Sequence, residues 1–184
     1  MPHVRHSSLT VGVDVRVVDA DELSTLVPDL EDLLAEVIGE RGTLGFLPPL
    51  DVDAARAYWS SLAADVDAGT RVFMGAFSDG RIVGSGQLAL SPFPNSRHRA
   101  ELQKLFVAES MRGQGVAHAL MAALHAAARQ HGRSLVLLNA RPGGAAERLY
   151  RRLGYQAAGV VPGYTIGPDG GPIDSVSMYK HLEL

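Results

Sequence analysis

The chain of 184 residues predicts an α/β fold, on three observations. Two apolar runs, Arg71–Phe77 and Ile82–Leu90, flank an Asp-Gly turn at Ser78-Asp79-Gly80-Arg81, the signal of an antiparallel hairpin. A short, continuously apolar segment, Leu135–Asn139, stands between two helical patterns, as a strand covered on both faces does. An apolar strand ending at Val107 runs through a glycine-studded turn into an alanine-rich helix.

The remaining elements follow in order. Val11–Val18 alternates and is rich in valine, which makes it a first strand. From Ala20-Asp21 onward Leu23, Leu26, Leu30, Leu33, Leu34, Val37 and Ile38 share one helical face, and Pro28 predicts a kink or restart. Gly39–Pro49 is a loop broken by glycine and proline. Asp51 or Asp53 caps a second helix to about Ala68, carrying Tyr58, Trp59, Leu62 and Val66. After the hairpin come a loop over Ser91–Arg97, a strand over Arg99–Val107, and a long helix from Gly113 or Gln114 to His131 with Gly132 as its stop. Beyond Leu135–Asn139 lie a helix over Ala145–Leu153, a strand over Tyr155–Tyr164, a turn at Pro168–Pro172 and a last strand over Asp174–His181. The order is β-α-α-β-β-β-α-β-α-β-β, which reads as one domain over 11–184 behind a loose polar lead-in, 1–10.

Composition narrows the function. The net charge of −3 argues against a nucleic-acid footprint. No apolar run reaches the roughly 18 residues of a membrane span, and the lead-in lacks the apolar core of a signal peptide. The chain has no cysteine, which excludes disulfides, thiolate metal sites and a cysteine nucleophile, and fits a cytoplasmic location. Seven histidines raise the question of a metal. His118 and His125 are too far apart on one helix to chelate a single ion, and no His-Glu-x-x-His pairing exists, so no metal is expected.

The stretch Arg112-Gly113-Gln114-Gly115-Val116-Ala117 carries the strongest signal. A glycine turn opening a helix aims unpaired N–H groups and the positive end of a helix dipole at one spot, which suits a pyrophosphate. The spacing is Arg-x-x-Gly-x-Ala, neither the Gly-x-Gly-x-x-Gly of dinucleotide folds nor a P-loop. It resembles the acetyl-CoA signature of the GNAT superfamily of N-acetyltransferases, and the element order is similar to that superfamily over Val11–Leu182. Several stretches resemble its tabtoxin-resistance-type branch more closely: Leu44-Gly-Phe46 with Leu50-Asp51, Gln87-Leu-x-Leu90, Pro94-Asn95, Arg99-Ala-Glu-Leu-Gln-Lys-Leu105, and Pro162-Gly-Tyr164 with Pro168-Asp-Gly170.

The resemblance implies a GNAT fold with a mixed sheet, antiparallel through its first half, whose central strands splay apart. It implies acetyl-CoA as co-substrate. Arg112, Gly113, Gln114, Gly115, Val116, Ala117 and His118 would hold the pyrophosphate. The main chain of Leu105, Phe106 and Val107 would pair with the pantetheine arm, with one amide near Phe106 or Val107 donating to the thioester carbonyl. Asn139 and Ala146 would contact the same arm. Tyr150 would protonate the departing thiolate, as a phenol of pKa about 10 can.

An amine must lose a proton before it attacks, and a carboxylate beside it can accept that proton. Glu101 shares a strand face with Gln103 and is the expected base; its competing role is an ion pair with Arg99, Lys104 or a neighbouring strand. The tabtoxin-resistance branch tends to carry an aspartate where this chain has Asn139, and an amide cannot act as a base, so more weight falls on Glu101. The acceptor pocket is expected from the loops, with Phe46, Asn95, Gln103 and Tyr164 as contacts.

The expected reaction is direct transfer of acetyl to a primary amine of a small molecule, by resemblance an amino-acid-like toxin or antibiotic such as tabtoxinine-β-lactam. The alternatives are a protein or peptide N-terminus as acceptor, or a CoA-binding sensor without transfer. The chain is expected to act as a monomer or a homodimer, with Ser175–Leu182 as the pairing edge.

Overall fold

The structure, a computed structural model, describes residues 12–38 and 44–184. The expected lead-in, the first two residues of the first predicted strand's span except Gly12, and 39–43 of the first loop lie outside the described residues. The elements are β1 (Val13–Val18), α1 (Ala20–Thr25), α2 (Val27–Ile38), α3 (Val52–Asp67), β2 (Arg71–Ser78), β3 (Arg81–Leu90), β4 (Arg99–Val107), α4 (Val116–Gln130), β5 (Leu135–Ala140), α5 (Ala145–Arg152), β6 (Gln156–Ile166) and β7 (Pro172–His181).

The first helical run is two helices. Leu26 closes α1, its N–H bonding the carbonyls of Glu22 and Leu23, and Pro28 sits in the first turn of α2, where its missing N–H leaves no bond unmade. Asp51, not Asp53, caps α3 by accepting from the Ala54 N–H at 3.0 Å. The long helix begins at Val116, because Gly115 adopts a left-handed φ of 84° that ends any helical run there.

Seven strands form one mixed sheet in the order β1-β2-β3-β4-β5-β7-β6. Only β4 and β5 run parallel; every other pair is antiparallel. β7 folds back from β6 and pairs with β5, so it lies inside the sheet. Ser175–Leu182 is therefore not a free edge, and the outer strand on that side is β6, whose residues are all exposed.

Each face of the sheet carries a core. On one, α4 sets Leu120, Met121 and Leu124 against Leu102, Val107, Val136 and Leu138, with Leu149 and Tyr150 of α5 in the same cluster. On the other, α1–α3 set Leu23, Leu34, Trp59 and Leu62 against Phe73 and Phe106. Trp59 meets Phe73 edge-on at 6.2 Å between centroids. Each such side chain contributes about 1.5–3 kcal/mol on burial, so β2 and β4, covered on both faces, form a stiff floor for the site.

Candidate active site

The site is organised around β4, whose two edges and two faces differ. Toward β5 it pairs only at Arg99–Leu135, Ala100–Val136 and Glu101–Leu137. Past these residues the strands part, so the β5-facing edge of β4 from Leu102 to Val107 has no strand partner. Toward β3 the register slips: Gln87 faces Gln103 but Ser85 faces Phe106, two steps along β3 against three along β4. The extra residue marks a bulge on β4, and Lys104 takes a left-handed φ of 50° there. An exposed main-chain edge next to a bulge can receive an extended amide-bearing arm as an added strand. Leu105, Phe106 and Val107 all lie on this segment.

Directly after β4 comes the glycine turn. Gly113 has φ 76° and Gly115 φ 84°, conformations that cost side-chain-bearing residues about 1–2 kcal/mol. No side chain caps the start of α4, and no acidic residue occupies its first turn. Its N–H groups and positive dipole end are thus free for an anion. Arg112 is exposed and only loosely paired with Glu109 at 3.8 Å. Gln114 turns back to donate to the Ser110 carbonyl at 2.9 Å. His118 is exposed and Ala117 half-buried on the first turn, while Val116 is buried in the core. The turn and the open edge fit the pyrophosphate and the pantetheine arm of coenzyme A.

Glu101 stands at the point where β4 and β5 separate. It is exposed and forms no ion pair or side-chain hydrogen bond among the described residues. The ion pair with Arg99 or Lys104 is therefore absent. Tyr150, on α5, is buried within the α4 core, its ring 5.6 Å from that of Tyr155. Burial pushes its phenol pKa up, which keeps the proton on oxygen. Ala146 is exposed in the first turn of α5. That turn is held by Glu147, which accepts from the Gly143 N–H at 2.6 Å.

Asn139 is exposed on β5, beyond the last β4 pair, and both ends of its amide are held: Ser177 donates to its oxygen at 2.8 Å, and its nitrogen donates to the Tyr164 hydroxyl at 3.3 Å. Tyr164 is thereby tied to Asn139 and not to Glu101. Asn95 lies on a short 3-10 turn, Pro94–Ser96, exposed and without a hydrogen bond to any of these groups.

Phe46 and Gln103 fall in one cluster on the α1–α3 face. Gln103 accepts from Arg71 Nη1 at 2.7 Å, and Gln87 accepts from the same nitrogen at 3.2 Å and from the Tyr58 hydroxyl at 2.9 Å. Lys104 lies with its Nζ 4.9 Å from the ring centroids of both Phe46 and Tyr58 and donates to the Leu44 carbonyl. Burial, with Arg71 nearby, lowers its pKa to about 8. Arg71, Tyr58, Gln87 and Lys104 escape a reading of the sequence alone. The signal for Arg71 is a polar side chain at the start of an apolar strand, and for Gln87 a place in the Gln87-Leu-x-Leu90 stretch. On the opposite face, His125 shares a hydrogen bond with the Tyr155 hydroxyl at 2.9 Å. Burial, helped by Lys180 and Arg129, lowers its pKa to about 4. Among the described residues no three metal-ligating side chains converge, and no helix is long and apolar enough to cross a membrane.

A splayed pair of parallel central strands, a bulge on one of them and an uncapped glycine turn define an acyl-CoA-dependent transferase. The chain belongs to the acetyltransferase (GNAT) family, whose model matches residues 42–155. Solved structures agree over nearly the whole chain. A ribosomal-protein-alanine N-acetyltransferase from Brucella melitensis is 25% identical, with a TM-score of 0.72 over 92% of this chain and 99% of that one. A protein from Salmonella typhimurium assigned as an acetyltransferase and solved with its cofactor acetyl-CoA is 17% identical, with a TM-score of 0.72 over 94% and 95%. The ribosomal-protein-S18-alanine N-acetyltransferase from Escherichia coli is 17% identical, with a TM-score of 0.69 over 94% and 95%. As a member of that family, this chain is an acetyltransferase that uses acetyl-CoA as its acetyl donor.

Proposed function

We propose that the protein transfers the acetyl group to the primary amine of a small, amino-acid-like molecule, with Glu101 as base and Tyr150 as acid, in one domain over 11–184. Acetyl-CoA supplies an activated thioester. Arg112, Gly113, Gly115 and the first turn of α4 bind its pyrophosphate, with His118 at the same end. The open main chain of Leu105–Val107 orients its arm and directs N–H groups to the reacting carbonyl oxygen. Glu101 takes a proton from the acceptor ammonium, and Tyr150 gives one to the departing sulfur. No cysteine exists to carry an acyl group, so attack is direct. The observation that carries this reading is the unpaired, exposed carboxylate of Glu101 at the fork of β4 and β5.

A detoxifying role toward a toxin or antibiotic, as in the tabtoxin-resistance type, is part of this proposal. A cysteine-free chain suits a reducing cytoplasm. The second reading, a protein N-terminus as acceptor, draws support from the two ribosomal-protein-alanine acetyltransferases among its structural neighbours. Thiol release from acetyl-CoA across β-lactam amino acids, polyamines and short peptides separates the two. Turnover with a small amine, lost in Tyr150→Phe and Glu101→Gln, supports the proposal. Turnover confined to peptides sinks the small-molecule assignment.

A further inference from the structure

The cluster behind Lys104 has an imbalance that the transfer chemistry does not use. Arg71 begins β2, Gln87 sits on β3 and Gln103 on β4, and the pairings Phe73–Gln87 and Gln87–Gln103 place them on the face covered by α1–α3. The bulge turns Lys104 to that face as well, although simple alternation would send it to the other. Two cations thus share a half-buried space. Their only carboxylate neighbour among the described residues is Asp65, half-exposed and 3.3 Å from Arg71 Nε. Among the described residues Lys104 has a carbonyl and two ring faces as company and no carboxylate.

Gln87 supplies an independent sign. Its side chain is fully buried. Arg71 and the Tyr58 hydroxyl both meet its oxygen, and the Arg71 guanidinium, which can only donate, sets the amide orientation, since the flipped amide would face it donor to donor. The amide nitrogen then has no acceptor. Buried donors are almost always satisfied, and this one, without a partner among the described residues, stands inside a cationic cluster where an oxygen acceptor would complete it. Among the described residues the cluster holds an unpartnered donor on Gln87 and a cation without a carboxylate at Lys104, and a carboxylate complements both. Arg71, Ala89 and Glu101 lie in register across β2, β3 and β4. Arg71 and the proposed base are therefore about two strand spacings apart, near 10 Å at the main chain.

We propose that Lys104, Gln87 and Arg71 bind a carboxylate of the acceptor, so that the substrate is an amino acid or close analogue whose free acid group is read by this cluster while its amine faces Glu101. The assignment rests on the transferase reading of Glu101 and narrows its acceptor. A protein N-terminus carries no carboxylate at that distance unless an acidic side chain supplies one.

The test compares matched probes on the full chain. Thiol release from acetyl-CoA is measured with a panel of free amino acids and their primary carboxamides. Thermal shift with glutarate and with its diamide reads binding without turnover. The expected result is a preference of about tenfold or more in kcat/KM for the acid over its carboxamide. Lys104→Met removes that preference through KM, and Lys104→Arg largely restores it. Glutarate, and not its diamide, stabilises wild type but not Lys104→Met. Equal turnover of acids and carboxamides overturns the carboxylate pocket and leaves the transferase reading standing. Glutarate-selective stabilisation without turnover of any amine keeps the pocket and overturns the transferase reading. If Lys104→Met fails to bind acetyl-CoA, the wild-type comparison of acid with carboxamide decides alone. Absence of both acid preference and glutarate stabilisation overturns the proposal.

Discussion

Along one side of β4 the functional groups are main chain: the open edge of Leu102–Val107, then Gly113, Gly115 and the uncapped start of α4. On the α1–α3 face the proposed groups are side chains from four elements: Tyr58, Arg71, Gln87 and Gln103, joined by hydrogen bonds, with Lys104 over the Tyr58 ring. The donor of the acetyl group is the same for the whole family, and a backbone site tolerates wide change in side chains. The acceptor must be distinguished from other amines, which only side chains at defined positions can do. The difference teaches where substitutions should act: on cofactor affinity at the turn, on acceptor affinity in the cluster, and on the rate at the two groups between them.

Tyr150→Phe should break this division most sharply. Losing a positioned general acid lowers kcat by roughly 100-fold or more, while the acetyl-CoA KM and the melting temperature stay close to wild type, because the buried ring keeps its packing. A stopped thiol-release assay and a melting curve check both halves. Gly115→Ala comes next. Forcing a side-chain-bearing residue to φ 84° costs about 1–2 kcal/mol. The strain should appear as a rise of about tenfold in the acetyl-CoA KM, with the acceptor KM unchanged. Calorimetric titration with acetyl-CoA measures it directly.

His125 sharpens the comparison from the core. Its pKa is lowered to about 4 in the fold against an ordinary 6.5. Below 6.5 the unfolded chain binds the proton that the folded chain refuses, so stability falls as pH drops from about 6.5 to about 4. The slope contributed by this one group is at most about 1.4 kcal/mol per pH unit. His125→Gln should flatten that part of the pH–stability curve, as denaturant melts at several pH values would register. The smallest effect is expected for Asn95→Ala. An exposed side chain without partners should leave stability within about 0.5 kcal/mol, and kinetics near wild type would remove it from the acceptor contacts.

How far the sequence reached follows the same division. The glycine turn before α4 was legible because glycines at φ 76° and 84° leave a spacing in the sequence itself. The succession of strands along the chain and the β4 boundaries, Arg99–Val107, were legible. The cluster around Lys104 was not, because its members lie far apart in the chain and because the bulge at Lys104 reverses the alternation that would have placed it. Phe46 and Gln103, expected as separate contacts, lie in one cluster whose connecting groups the sequence did not mark. The place of β7 inside the sheet also escaped, since nothing in Asp174–His181 distinguishes a strand paired on one side from one paired on both. Asn139 and Tyr164 were assigned separate duties, yet the structure joins them by a hydrogen bond.

The most direct measurement is acetyl-CoA binding and turnover of Glu101→Gln beside wild type, on one acceptor. Equal acetyl-CoA affinity with turnover reduced roughly 100-fold or more is the predicted result, because the carboxylate acts on the acceptor proton and not on the cofactor. Turnover undiminished in Glu101→Gln would contradict the account and place the base elsewhere.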